Sequence, residues 1–260
     1  MNWSHSSKLA LALAAVLFVA AVPAAAVSVT PDGVPDSAEV GSKTTASFEV
    51  TDLYSNYDSW TLAGETELVN ATWTVTLYDQ TNARIGRESY SGQTFQQAVE
   101  ASEDVNRVEV RVEGTVPKVE NYSYQPAQSF TVAALRETQD GGASTTLDAW
   151  SARPYTSDSQ EARDAIADAE DAIDTAESNG ADTTEAEDLL DSAVSAFNGS
   201  NFDNAVKLAN NAQSKAEGAA ASKQQTNLLL MAGAGLVGLL LIGGGVYWYL
   251  SNRQTYDKLG

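Results

Sequence analysis

Residues 69–77 read VNATWTVTL, and this stretch decides the fold predicted for the first half of the chain. Its apolar side chains occupy every second position and are those of Val69, Ala71, Trp73, Val75 and Leu77. Because successive side chains of a β-strand point to opposite faces, this spacing places all five on one face. The sequence therefore predicts a half-buried strand with Trp73 in the centre of a core.

The same alternation recurs on both sides of this stretch and predicts about seven short strands between residues 27 and 137. They cover residues 27–30, 46–50, 69–77, 84–90, 93–99, 108–112 and 130–134. Short antiparallel strands around an inward tryptophan resemble an immunoglobulin-like or fibronectin-type domain. The resemblance implies an antiparallel β-sandwich over residues 27–137. The chain has no cysteine, which excludes only the disulfide-bonded members of that group.

A change of period after the sandwich predicts a second, helical domain. Residues 138–157 are rich in Gly, Ser and Thr and are interpreted as a linker. In residues 158–222 the apolar positions fall three and four apart, which predicts an acidic helical hairpin or three-helix module. Within it, residues 193–212 place a Phe before a Gly-containing turn and Phe-x-x-Ala after it, and resemble a tetratricopeptide-type helical turn. The motif occurs once, so the sequence predicts one helical module.

The two ends of the chain predict export and a membrane anchor. Residues 228–250 hold no charge and would reach about 34 Å as a helix, enough for a transmembrane span. Within this span, Ala234 and Gly238 form a small-xxx-small pair that predicts weak self-association. Residues 251–260 carry basic residues and are predicted to be a cytoplasmic tail, and residues 1–26 a signal peptide. The alternatives are a buried helix of a soluble protein and an uncleaved signal anchor.

These assignments together define a fold class and a location. The fold predicted is a multidomain β plus α chain with an N-terminal β-sandwich, an acidic helical module and a C-terminal transmembrane helix. The membrane is then a partner through that helix, and the protein is a single-pass protein of the cell membrane. Its N-terminal bulk would be extracellular.

The charge of the chain bounds its partners. Thirty-five acidic residues stand against fifteen basic ones, a net charge of −20 at pH 7. A surface of this charge repels nucleic acid, so no nucleic-acid partner is predicted. The acidic composition also resembles that of proteins from halophilic archaea, in which molar salt would screen the repulsion. An acidic domain from an ordinary organism is the alternative.

The residue types available exclude most catalytic sites. The one histidine is His5, which lies in the predicted signal peptide. This removes the Ser-His-Asp and Cys-His systems and His-ligated zinc. Residues 158–191 carry thirteen acidic residues and only Arg163 as a base, which we interpret as a solvated face in preference to a cation site. A carboxylate-pair hydrolase is the remaining enzymatic alternative. We predict a non-enzyme with no catalytic residue, cofactor or metal.

Beyond the predicted signal peptide, three Asn-x-Ser/Thr triplets are candidate N-glycosylation sites, at Asn70, Asn121 and Asn198. The function predicted is that of a non-catalytic, membrane-anchored cell-surface glycoprotein that presents a sandwich and a helical module for contacts with the envelope or another protein. The alternative is an extracellular accessory subunit of a membrane transport or secretion complex. The partner itself is not predicted by any motif.

Overall fold

The computed structural model describes residues 26–139 and 141–252, and within the last helix it leaves the side chains of 226–246 and 250–252 undescribed. The predicted signal peptide therefore lies outside the described residues, apart from Ala26. The chain forms two compact units. Among the described residues, one unit contains residues 26–118 together with Ser129–Pro154, and the other contains Val119–Gln128 and residues 155–252.

The first unit consists of two five-stranded sheets. The strands are β1 (Ser28–Asp32), β2 (Ser37–Glu39), β3 (Lys43–Thr51), β4 (Ser59–Glu65), β5 (Val69–Tyr78), β6 (Arg84–Ser91), β7 (Thr94–Glu100), β8 (Arg107–Thr115), β9 (Phe130–Thr138) and β10 (Ser144–Tyr155). The first sheet has the order β1-β3-β8-β5-β6 and the second β2-β10-β9-β4-β7. A short 3-10 helix, Ala101–Glu103, follows β7.

The inner faces of the two sheets share one hydrophobic core. Trp73 of β5 is fully buried, at 0% exposure, and its ring lies 4.8 Å from that of Phe95 in the second sheet. At the other side of the core, Phe48 of β3 packs at 4.4 Å against Trp150 of β10. These aromatic contacts join the sheets face to face, as in sandwich packing.

The prediction of about seven strands is corrected to ten, because β2, β4 and β10 were not recognised. In β4 the buried positions are Trp60, Leu62 and Gly64, so a glycine interrupts the apolar series. That glycine lies beneath Phe95, and a Cβ atom there would overlap the Phe95 ring. β10 lies within residues 138–157, which were interpreted as a linker. Its register against β9 shifts twice, which breaks the alternation of buried and exposed side chains that would identify a strand.

The second unit contains three helices, α1 (Ser157–Ser178), α2 (Thr184–Asn198) and α3 (Phe202–Asn252). Helix α1 begins with a capping box: the Ser159 N–H donates to Thr156 Oγ1 at 3.2 Å, and the Thr156 N–H donates to Ser159 Oγ at 2.8 Å. Alanines dominate the buried stripes, which lets the helices approach closely.

The predicted transmembrane helix is not supported and is corrected. Within the described part of the chain, no helix has the length and apolar composition needed to cross a membrane. Residues 228–250 form the C-terminal part of α3, which begins at Phe202 and continues without a break. An uncharged run in the sequence predicts the length of a membrane span. It does not show whether the run forms a separate helix or continues the preceding one. The side chains of Ala234 and Gly238, and residues 253–260 of the predicted tail, lie outside the described residues.

Four further predictions depended on that helix and are corrected with it. These are the fold class with a C-terminal anchor, the membrane as a partner, the single-pass location and the extracellular placement of the bulk. The description as a membrane glycoprotein of the cell surface loses its support for the same reason.

Tyr54, in the loop between β3 and β4, leads to a prediction on alkaline stability. Its hydroxyl is buried with no hydrogen-bond partner among the described residues, and burial, aided by Glu103 and Asp104, raises its pKa to about 12. Tyr54 ionises at about pH 10 in the unfolded chain but only at about pH 12 in the folded one. Its contribution to stability is therefore fully present below pH 10 and is lost as the pH rises through 12. We expect Tyr54→Phe to lose less thermal stability than the wild type between pH 9 and pH 12.

The measurement for Tyr54 is the melting temperature of the first unit, followed by near-ultraviolet circular dichroism across that pH range. Tyr57→Phe is the matched control, because Tyr57 is an exposed tyrosine of the same loop. Identical pH profiles for wild type and Tyr54→Phe would show that the Tyr54 hydroxyl ionises without unfolding the sandwich.

Candidate functional site

A groove of about 600 Å³ lies between α1 and α3 in the helical unit. Its α1 side is formed by Asp168, Asp171, Ala172, Thr175 and Asn179, the last of which follows the end of the helix. Its α3 side is formed by Gln213, Glu217, Ala220, Ala221 and Gln224. The groove belongs entirely to one unit.

The spacing of the lining residues explains why the sequence forms this groove. The lining positions of each helix are mostly three or four residues apart, which places them in one row on the helix surface. The neighbouring rows are buried, with Ala169 and Ile173 on α1 and Ala212 and Ala216 on α3. Two helices held close by small core residues thus leave a shallow furrow just outside the core.

The chemistry of the groove is a small apolar floor with an acidic rim. Ala172, Ala220 and Ala221 supply methyl groups. Asp168 and Asp171 have no basic partner among the described residues, and Glu217 accepts a hydrogen bond only from the neutral Gln213 amide, at 3.1 Å. The carboxylates around the groove are therefore not neutralised within the unit.

Sequence reasoning recognised the acidic surface but not this groove. The thirteen acids of residues 158–191 were interpreted as one solvated face, and nothing in their spacing shows which of them border α3. The pairing of α1 with α3 is a tertiary feature. The absence of a basic residue at positions three or four away from Asp168 and Asp171 was the available signal.

The segment Val119–Gln128 forms a second element of this unit, although it lies between β8 and β9 in the sequence. Arg163 of α1 holds it in place. One guanidinium nitrogen, Nη2, donates to the carbonyl oxygens of Ser123 and Tyr124, each at 3.0 Å. The guanidinium group also lies over the rings of Tyr124 and Phe197, at 4.6 and 5.1 Å from their centroids. Arg163, the single basic residue between residues 158 and 191, therefore has a structural role.

Tyr124 adds two further contacts between the segment and the helices. Its backbone N–H donates to Asn198 Oδ1 at 2.8 Å, and its hydroxyl donates to Glu170 Oε2 at 2.9 Å. Burial, together with the hydrogen bond to Glu170, raises the pKa of the Tyr124 hydroxyl. The phenol therefore remains a proton donor at neutral pH, and the segment stays hydrogen-bonded to two helices.

The three candidate glycosylation sites are all exposed. Asn70 is exposed at an irregularity of β5, with φ at 53°. Asn121 is exposed in the segment Val119–Gln128, and Asn198 is exposed at the end of α2. The Oδ1 atom of Asn198 is engaged by Tyr124. Modification of these residues stays a prediction. Among the described residues, no group of three or more His, Asp or Glu side chains is placed to hold a metal ion.

Comparisons with known proteins give only weak likenesses. No family model and no curated protein matches the chain. A sporulation control protein from Bacillus subtilis aligns over 54% of each chain with 10% identity and a TM-score of 0.29. An adhesin from Streptococcus sanguinis aligns over 52% of this chain and 61% of its own, with 20% identity and a TM-score of 0.27. The chain thus covers little more than half of these structures, and TM-scores this low support no functional argument.

Proposed function

We propose that this protein is a non-catalytic interaction protein whose helical unit binds a basic helical segment of a partner protein. The observation that carries the proposal is the groove between α1 and α3, with its alanine floor and unneutralised rim carboxylates. Apolar contact on the floor and charge pairing at the rim are the two requirements for docking an amphipathic helix.

The dimensions of the groove fit a few turns of such a helix. From position 168 to position 179 the groove follows α1 for about 17 Å, or about three helical turns. Small side chains on the floor let a partner backbone approach closely, as small residues do where helices cross. A partner with Ala or Ser facing the floor and Lys or Arg on both flanks would match both features.

The overall charge supports the same class of partner. A net charge of −20 attracts basic proteins over distances of about one screening length, roughly 8 Å at physiological ionic strength. Such attraction raises association rates more than it raises affinity. A general acidic surface does not select one basic partner over another. Specificity would therefore depend on the shape of the groove.

The test is a binding measurement with a synthetic helical peptide of repeated Ala-Ala-Ala-Ala-Lys-Ala-Lys heptads, which place Lys on both sides of an Ala stripe, followed by fluorescence anisotropy in 0.15 M salt. Changing Asp168 and Asp171 to Asn and Glu217 to Gln should weaken binding about tenfold. Each exposed ion pair contributes about 0.2–1 kcal/mol, and 1.4 kcal/mol corresponds to a factor of ten.

The control removes the same charge elsewhere on the helices, by Asp158→Asn, Glu161→Gln and Asp191→Asn, all of which are exposed outside the groove. This variant should bind within about twofold of the wild type. Equal weakening in both variants would show that the peptide binds by non-specific charge attraction and not in the groove. A further variant, Ala221→Phe, fills the floor without changing the charge, and unaltered binding by it would place the peptide outside the groove.

A further inference from the structure

Three arginines lie together on the outer face of the first sheet. Arg87 of β6 is opposite Thr76 of β5, and Arg111 of β8 is opposite Thr74. Directly opposed residues share a face of the sheet. Since Val75, between these threonines, is fully buried, Thr74 and Thr76 point away from the core and both arginines do the same. Arg84 joins them from the start of β6, opposite Tyr78.

These arginines surround a concavity of about 200 Å³ over strand β5. The hydroxyl-bearing side chains of Thr74 and Thr76 line its base, and Glu109 lines it from β8. A cavity of this size is smaller than the 300–1,000 Å³ that drug-sized ligands occupy. It can hold a compact polar group.

The side chains of these arginines have no partner among the described residues. The guanidinium groups of Arg84, Arg87 and Arg111 make no hydrogen bond or ion pair there. By contrast, Arg107 pairs with Glu49 at 3.0 Å and Arg136 pairs with Glu65 at 2.8 Å. Three unpaired guanidinium groups side by side repel one another. These guanidinium groups remain without a carboxylate partner although the chain has 35 acidic residues.

The charge of the concavity specifies the ligand. Three arginines and one glutamate give it a formal charge of +2. The Glu109 carboxylate is already engaged by the Tyr78 hydroxyl, at 3.0 Å, so it does not neutralise the arginines by direct pairing. Guanidinium groups present planar forks of N–H donors that match the oxygens of phosphate or sulfate. We propose that this concavity binds a divalent tetrahedral oxyanion, free or as a monoester on a larger ligand.

The proposal is independent of the helical groove, and its test uses the full chain. Isothermal titration with sodium sulfate, inorganic phosphate and glucose 6-phosphate, in buffer with 20 mM chloride, should show saturable binding with one site. Arg87→Gln and Arg111→Gln should each weaken binding about tenfold, because each removes a charged donor of a strong hydrogen bond. Glu109→Gln should tighten binding, since it removes the one like charge from the site.

Arg136→Gln is the matched control, because Arg136 lies on the second sheet and already has a carboxylate partner. It should bind as the wild type does. Tighter binding of glucose 6-phosphate than of inorganic phosphate would assign the anion to a larger ligand, and equal binding would assign it to the free ion. The proposal is overturned if binding does not saturate, if Arg136→Gln weakens it as much as Arg87→Gln does, or if Glu109→Gln leaves it unchanged.

Discussion

Replacing Trp73 with alanine should lower the free energy of unfolding of the sandwich by about 3–5 kcal/mol. Trp73 has no exposed surface, and its ring packs between the sheets against Phe95. Its removal leaves a cavity that the surrounding strands cannot fill, since both its neighbours in the register, Tyr90 and Val112, are fixed by strand pairing. This cost is a large part of the 5–15 kcal/mol typical of a domain. Urea unfolding followed by circular dichroism at 218 nm measures it.

The control for this prediction is Trp73→Phe. The indole N–H of Trp73 is buried without a hydrogen-bond partner in the described structure. Phenylalanine removes this unpaired donor and keeps an aromatic ring, so its cost should be less than half that of alanine. An unchanged urea midpoint for Trp73→Ala would contradict the observed core.

The helical unit has hydrophobic clusters of its own, so its signal at 222 nm should survive the loss of the sandwich.

The second large effect is expected from Phe197→Ala in the helical unit. Phe197 is 1% exposed and contacts the rings of Tyr124 and Phe202 at 5.7 and 5.3 Å. Truncation should cost about 3–5 kcal/mol and remove the surface on which the segment Val119–Gln128 packs. Cleavage by chymotrypsin after Tyr122 and Tyr124 should then become much faster, and mass spectrometry of the fragments measures the rate.

Phe202→Ala is the comparison for Phe197, because Phe202 is half-buried at the start of α3 and belongs to the same aromatic cluster. It should cost less than half as much and accelerate cleavage only slightly. If cleavage after Tyr124 were as slow in Phe197→Ala as in the wild type, the hydrogen bonds that the segment makes with Arg163, Asn198 and Glu170 would be sufficient to hold it.

Sequence reasoning found the strands whose buried faces carry an unbroken apolar series. From Ala71 to Leu77 of β5 and along β8 every inward position is apolar or small, so a period of two in the sequence indicates the buried face. Val69 was also predicted to lie on that face but is 44% exposed, because the pairing of β5 with β8 shifts register between Val69 and Thr72. It missed β4 because Gly64 lies under Phe95, a contact between neighbouring strands that no local pattern records. It missed β10 because two register shifts change which residues face inward.

The candidate site was less predictable than the fold. An acidic helix face can be identified from composition, but the groove exists because α1 packs beside α3. The arginine concavity likewise combines residues from three strands, and two of its arginines, Arg87 and Arg111, are more than twenty positions apart. The predicted anchor failed for a related reason. It was argued from the uncharged run 228–250 and the basic residues after it, whereas these residues continue a helix that begins at Phe202, and no described helix is long and apolar enough to cross a membrane.

The segment Val119–Gln128 also sets an order of events during synthesis. Its contact between the Tyr124 N–H and Asn198 spans 74 residues, so Tyr124 leaves the ribosome long before its partner. At 5–20 residues per second this interval lasts about 4–15 s. In that time β9, β10 and α1 emerge, while the two tyrosines of the segment still lack the rings of Phe197 and Phe202. A nascent chain released after Tyr155 but before Asn198 would therefore carry all ten strands together with a segment that lacks its contact to Asn198 and is open to proteases.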